Sequence, residues 1–102
     1  MVQKSTHTAE YAAMLRLLVE RRKSLRLHQA DVAATLPFKQ PEISKIERGE
    51  RRIDVVELRM ICTALHMSLP EFVAKLEERI AALHATESAA DARAAEPSAK
   101  AR

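Results

Sequence analysis

The sequence has few of the residues on which several classes of protein depend. Among its 102 residues there are one Gly, one Cys and no Trp, and aromatic residues make up 3%. The lone Cys62 excludes an internal disulfide and is typical of a reducing compartment. A single Gly49 excludes a glycine-rich phosphate loop. So few β-favouring aromatics, beside abundant Ala, Leu, Glu and Arg, favour a helical fold.

Long apolar runs and ligand clusters are also missing. No run approaches the ~20 apolar residues that cross a bilayer, and residues 1–10 lack the apolar stretch of a signal peptide. The four histidines have no zinc-ligand spacing, since they lie far apart at His7, His28, His66 and His84. No nucleophile has a base and an orienting group beside it. We therefore expect a soluble cytoplasmic protein that is not an enzyme and has no cofactor, metal or membrane partner.

Charge is distributed unevenly along the chain, which carries a net charge of +3. Residues 1–52 have 11 Lys and Arg against 6 Asp and Glu, or +5, whereas residues 53–102 have 6 against 8, or −2. A polyanion would therefore meet the first half of the chain. An ordinary solvated surface is the alternative that charge alone leaves open.

Length and apolar spacing indicate one small domain with one core. We expect a flexible arm at residues 1–7, a domain with an extended fifth helix at residues 8–84, and a largely disordered Ala-rich tail at residues 85–102. Helical periodicity predicts five helices, at about Thr8–Ser24, Gln29–Leu36, Gln40–Arg48, Asp54–Leu65 and from Ser68 onward.

Capping residues mark the ends of four of these helices. Thr8 and Asp54 are suited to cap helix N-termini. Ser68, with Glu71 three residues later, forms a capping-box pattern. Gly49 is expected to end the third helix in the left-handed conformation that glycine adopts at low cost.

The segment from Leu18 to Leu69 has a specific linear pattern. Arg22 precedes a loop, followed by HQADVA, then KQPEISKIERGERR, then a capped helix ending in TALHMSL. This pattern resembles the Cro/phage-repressor (XRE-like) helix-turn-helix family over about half the chain. The resemblance implies an all-α, five-helix DNA-binding domain with the helix-turn-helix at helices 2 and 3. It also implies a bacterial or phage-encoded transcriptional repressor that binds a short palindromic operator in double-stranded DNA as a dimer.

The third helix is the expected reader of base edges in the major groove. Ile43 and Ile46 place one face of this helix inward, which leaves five candidate base contacts: Gln40, Pro41, Glu42, Ser44 and Lys45. Gln40 can form a bidentate pair with adenine, worth about 1–3 kcal/mol of discrimination. Glu42 can accept from cytosine, or can interact with the N-terminal dipole of its own helix instead.

Four residues are expected to contact phosphates: Gln29, Lys39, Arg51 and Arg52. The resemblance implies that Gln29 and the start of the second helix grip one phosphate. The basic residues supply affinity and salt dependence rather than sequence information. The alternative for each basic side chain is a free surface charge.

The resemblance also implies a structural ion pair and points to unusual turns. Relatives commonly pair a glutamate at the position of Glu47 with an arginine at that of Arg22, which ties helix one to helix three. Relatives usually have Gly where this chain has Arg26, Pro37 and His66. A non-glycine residue in the left-handed region costs about 1–3 kcal/mol, so these turns either use other geometry or lower the stability.

An apolar stripe along the fifth helix predicts a homodimer. Its residues Leu69, Val73, Leu76, Ile80 and Leu83 recur at spacings of four and three, as in a coiled-coil seam of about two heptads. We expect Val73, Leu76, Ile80 and Leu83 to form the dimer interface. A helix that folds back on its own domain is the alternative. The alternative function is a protein-interaction module, such as an antitoxin that neutralises a partner protein through the C-terminal segment and also binds DNA to regulate its own expression.

Overall fold

A computed structural model describes residues 8–95, with side chains through residue 86, and these residues fold into five helices. No strand occurs in residues 8–95. The helices are α1 (Ala9–Ser24), α2 (Gln29–Ala34), α3 (Gln40–Glu47), α4 (Val55–Ala64) and α5 (Leu69–Ala95). The prediction of an all-α fold is confirmed. The helix bounds differ from those predicted by at most two residues, except at the end of α5.

The predicted N-terminal caps are present. Thr8 Oγ1 accepts from the backbone N–H of Tyr11 at 3.0 Å, and Ser68 Oγ accepts from that of Glu71 at 3.2 Å. At α4, Asp54 Oδ1 accepts from the backbone N–H of Glu57 at 2.7 Å, and Glu57 Oε1 accepts from that of Asp54 at 3.0 Å. Each bond satisfies an amide that lacks a partner within its helix, and therefore fixes where the helix begins.

Helices α1, α3 and α4 end in the same kind of left-handed turn. After α1, Arg26 has a φ of 59°, and the Leu27 N–H donates to Arg22 O at 3.1 Å. Gly49, at φ 77°, and His66, at φ 60°, occupy the same position after α3 and α4. These are Schellman motifs, which favour glycine. Only the turn after α3 has a glycine at this position. Arg26 and His66 therefore each carry the cost of about 1–3 kcal/mol that a non-glycine residue incurs in the left-handed conformation.

The turn between α2 and α3 uses a different geometry. Pro37 cannot take a positive φ, because its ring fixes φ near −65°. No other residue of this turn has a positive φ either. Phe38 instead turns inward and is only 7% exposed. A buried ring therefore sets the entry into α3 in place of a glycine turn.

The core lies where α1, α3, α4 and α5 meet. Its largest fully buried side chains are Ile46, Cys62, Leu65 and Phe72, each no more than 2% exposed. Burial raises the pKa of the Cys62 thiol to about 11. The thiol is therefore protonated at neutral pH and packs as a small apolar group.

Helix α5 lies antiparallel along α1. Arg79 pairs with Glu20 at 3.0 Å, and His84 Nε2 lies 2.9 Å from Glu10 Oε2. At the base of α5, Arg21 of α1 donates to two carbonyls in the turn that follows α4, with Nε 2.9 Å from Leu65 O and Nη2 2.9 Å from His66 O. α1 is thus fixed to both helices that follow the helix-turn-helix.

Helix α5 is longer than the periodicity predicts. We expected a largely disordered tail from residue 85, but the backbone is helical to Ala95. Ala has the highest helix propensity, and a helix already formed on the core extends at low cost. The arm at residues 1–7 and the last part of the tail, residues 96–102, lie outside the described residues. Within the described residues, no helix has the length and apolar character needed to cross a bilayer.

Candidate nucleic-acid interface

Helix α3 turns one face to the core and the other to solvent. Ile43 and Ile46 are 3% and 1% exposed, whereas Gln40, Pro41 and Lys45 are exposed. An α-helix with its side chains is about 10–12 Å in diameter, which fits a major groove about 12 Å wide. Three of the five candidate base contacts therefore face solvent from one short, rigid element.

A chain of hydrogen bonds runs from the exposed end of α3 into the core. Gln40 Nε2 donates to Gln29 Oε1 at 2.8 Å, and Gln29 Nε2 donates to Glu47 Oε1 at 2.8 Å. Arg22 completes the chain by donating to Glu47 through Nε at 2.7 Å and Nη2 at 3.0 Å. We name these four residues the Gln40–Arg22 relay. The sequence pattern pointed to its buried Arg22–Glu47 pair, but not to its two glutamine bonds.

The direction of each bond in the relay is fixed by chemistry. The Glu47 carboxylate only accepts, so Gln29 must present its NH2 group to it. Gln29 Oε1 then faces Gln40 and can only accept, which turns the Gln40 NH2 group toward it. One Gln40 N–H and the Gln40 Oε1 remain outside the relay. These are the donor and acceptor that a bidentate pair with adenine requires.

The buried end of the relay joins three parts of the fold. Arg22 also donates through Nη1 to Leu27 O at 2.8 Å, in the loop before α2. The side chains of Arg22 and Glu47 are 11% and 12% exposed. α1, the loop and α3 therefore meet at one guanidinium, whose three bonds are all inside the domain.

Glu42 and Ser44, the other two candidate base contacts, have partners within the domain. Glu42 Oε1 accepts from the backbone N–H of Lys39 at 3.0 Å and thereby closes the first turn of α3. Ser44 Oγ accepts from Arg48 Nη1. The bond between Glu42 and the Lys39 N–H corresponds to the alternative interpretation of Glu42, in which it interacts with the start of its own helix.

The four candidate phosphate contacts differ in their surroundings. Lys39 and Arg52 are exposed, and Gln29 is half-buried in the relay. Arg51 instead donates to Glu57 through Nη2 at 3.0 Å and Nη1 at 3.5 Å. Its Cζ lies 5.2 Å from the centroid of the Phe38 ring.

Ion pairs near α3 hold their carboxylates in the charged form. The hydrogen bond from Arg51 lowers the pKa of the Glu57 carboxyl and raises that of the Arg51 guanidinium. The bond from Arg48 lowers the pKa of Glu50 in the same way. These glutamates therefore stay ionised at neutral pH. Within the described residues, no three His, Cys, Asp or Glu side chains are grouped to hold a metal ion.

The candidate dimer residues on α5 differ in how far their own domain buries them. Leu76 packs against the core of its own domain, and Ile80 and Leu83 are half-buried. Val73 is 39% exposed. The stripe thus supplies part of its own domain's packing and leaves an apolar edge that begins at Val73.

Sequence reasoning missed four of these contacts, the two glutamine bonds of the relay and the two contacts of Arg51, and only the bond between Gln29 and Gln40 left a signal in the sequence. Gln29 and Gln40 each occupy the first position of a helix in the two-helix motif, so their meeting follows once the helices are placed. Phe38 and Glu57 carry no pattern that links them to Arg51, because 13 positions separate Phe38 from Arg51 and six separate Arg51 from Glu57.

Comparison with known proteins agrees with this geometry. The model of the family described as "Helix-turn-helix" matches residues 18–72, more than half of the chain. The matched range contains α2, α3 and the whole Gln40–Arg22 relay. Searches of curated proteins and of solved structures gave no match. The chain therefore belongs to the Cro/phage-repressor (XRE-like) helix-turn-helix family, and it is a DNA-binding transcription regulator.

Proposed function

We propose that this regulator reads a short palindromic operator in double-stranded DNA as a homodimer and represses transcription from it. α3 lies in the major groove, and Gln40 pairs with an adenine in each half-site. The Gln40–Arg22 relay carries this proposal, because it leaves one donor and one acceptor of an exposed amide free in a fixed orientation. A preorganised amide loses little side-chain entropy when it binds a base edge.

The other contacts follow from position and charge. Pro41 and Lys45 share the exposed face of α3, where Pro41 offers apolar contact to a thymine methyl and Lys45 reaches guanine or a phosphate. Lys39 and Arg52, at opposite ends of α3, contact phosphates on either side of the groove, and Gln29 contacts a third. These contacts supply affinity at every sequence, whereas Gln40 discriminates between sequences.

We propose the dimer on the apolar edge of α5. Val73 is exposed, and Ile80 and Leu83 remain half-buried after α5 has packed against α1. Leu76 supports this edge from the domain side. Pairing of two such edges about a twofold axis would bury them and present two copies of α3 to half-sites about 34–36 Å apart.

Selection of bound duplexes from a random pool at near-physiological salt tests the proposal. We expect a twofold-symmetric site for the wild-type chain. Gln40→Ala should relax preference at one position per half-site, with a loss of about 5- to 150-fold in discrimination there. Lys75→Ala, which removes an exposed side chain on α5, is the control and should select the wild-type site.

Each other outcome contradicts a specific part of the proposal. Enrichment that Gln40→Ala leaves unchanged would refute the base contact. An asymmetric or single half-site would refute the dimer. A failure to enrich any sequence would refute the operator and favour a module that binds a partner protein through its C-terminal segment.

A further inference from the structure

Among the four candidate phosphate contacts, Arg51 is a basic residue whose side chain is turned into the domain. Its guanidinium lies over the Phe38 ring at 5.2 Å and donates twice to Glu57. It also donates to the carbonyl of Arg52 at 3.3 Å. About 31% of its side chain is exposed. Its neighbour Arg52 is exposed, and its side chain has no hydrogen bond among the contacts of the described residues.

These contacts join the two ends of α3 to α4. Phe38 lies two positions before the first residue of α3, and Arg51 follows the Gly49 turn that ends it. Glu57 is itself fixed, because it closes the capping box of α4 with Asp54. A single side chain therefore links the entry of α3, its exit and the first turn of α4.

The charges around Arg51 disfavour a phosphate there. The carboxylates of Glu57, Glu42 and Asp54 all interact favourably with its guanidinium. A phosphate would have to displace Glu57 and approach two further negative charges. Arg52 reaches solvent without such competition.

The entry to α3 needs a support of this kind. The turn at Pro37 lacks the left-handed residue that ends α1, α3 and α4, and it is held by a buried ring. The flat guanidinium of Arg51 stacks over that ring and at the same time donates two hydrogen bonds to the Glu57 carboxylate. A lysine ammonium cannot make both contacts at once.

We propose that Arg51 is a positioning residue that sets how α3 presents Gln40, and that Arg52, not Arg51, is the phosphate contact of this loop. Arg51 acts through Phe38 and Glu57 and touches no part of the DNA. This inference rests on the proposed reading of DNA by α3. It assigns specificity to a residue whose charge and place in the sequence point to affinity alone.

The experiment compares four single variants in binding to the selected operator and to an unrelated duplex over a range of salt. Arg52→Met should weaken binding to both duplexes and reduce the slope of log affinity against log salt by about one. Arg51→Met should leave that slope unchanged and lower the ratio of operator to unrelated affinity roughly tenfold. Arg51→Lys keeps the charge but should behave as Arg51→Met.

Glu57→Gln separates the two roles by its effect on the operator preference. Glutamine keeps the oxygen that accepts from the Asp54 N–H, so the cap of α4 remains. If Arg51 positions α3, this variant should lower the operator preference as Arg51→Met does. If Arg51 binds phosphate, removal of its competing carboxylate should raise affinity for both duplexes alike and leave the operator preference unchanged. An unchanged operator preference in Glu57→Gln, or a lower salt slope for Arg51→Met with unchanged preference, would overturn the proposal.

A measurement without DNA keeps this inference separate from the proposed function. Amide hydrogen exchange should become faster at Glu42 and Ile43, whose N–H groups donate to Lys39 O at 2.9 and 3.1 Å, in Arg51→Met and Glu57→Gln. Exchange there should be unchanged in Arg52→Met. Unchanged exchange in all variants would overturn the positioning role. A wild-type chain with no sequence preference would instead refute the proposed function and leave this result standing.

Discussion

Glu47→Gln tests whether the buried end of the relay holds the fold together. The substitution keeps the size of the side chain and one oxygen but removes its charge. Arg22 then stays buried without a carboxylate, since both side chains are about nine-tenths covered. Removing one partner of a buried pair costs about 3–5 kcal/mol.

The structure places the expected cost at the low end of this range. Arg22 keeps its bond to Leu27 O, and the amide oxygen that the substitution leaves in place of the carboxylate still accepts one bond. We therefore expect a loss of about 3 kcal/mol in the free energy of unfolding. For a domain of this size, that corresponds to a fall of roughly 12–24 °C in Tm.

Thermal unfolding followed by circular dichroism at pH 7 measures the effect. Glu50→Gln is the matched control, because it makes the same chemical change in an exposed pair with Arg48 and should leave Tm close to the wild-type value. The double variant Arg22→Met/Glu47→Leu should recover part of the loss, since it removes both charges. A fall of less than about 5 °C for Glu47→Gln would refute the reasoning.

Three further predictions follow from local geometry. His66→Gly should raise Tm by a few degrees. It relieves the cost of about 1–3 kcal/mol of holding a non-glycine residue in the left-handed conformation, which exceeds the roughly 0.4–1 kcal/mol by which glycine stabilises the unfolded chain. The control Thr63→Gly, inside helix α4, should lower Tm. Cys62 should resist alkylation at pH 8 until the protein unfolds, because its thiol is buried and has a pKa of about 11; rapid labelling of the folded protein would contradict its core position. The pKa of Glu57 is lowered in the folded protein. The contribution of its ionised carboxylate to stability is therefore complete above its unfolded pKa of about 4.3 and is lost as the pH falls through the folded pKa. Glu57→Gln should accordingly reduce the loss of Tm on acidification from pH 6 to pH 3.

The sequence predicts those features that depend on neighbours in the chain. Apolar spacing located all five helices, and Thr8, Asp54 and Ser68 marked starts that the structure shares. The end of α5 could not be read from the apolar pattern, because Ala-rich sequence extends a helix by propensity without an apolar stripe.

The candidate interface divides in the same way. The exposed face of α3 follows from the inward positions of Ile43 and Ile46. The bond between Gln29 and Gln40, and the position of Arg51 over Phe38, depend on how α2, α3 and α4 are placed in space. Charge alone grouped Arg51 with Arg52, although only the fold distinguishes a side chain turned inward from one turned outward.

Two consecutive arginines near the end of α1 limit how this sequence can change in length. Arg21 holds the end of α4, and Arg22 holds α3 and the loop before α2. One residue inserted into α1 between its capped start and Arg21 would rotate both by about 100° relative to the rest of the helix. Both sets of bonds would be lost together, so α1 tolerates substitutions at its exposed positions but not single insertions. Changes in length are expected instead in loops, where an inserted residue does not rotate the side chains of a helix relative to one another.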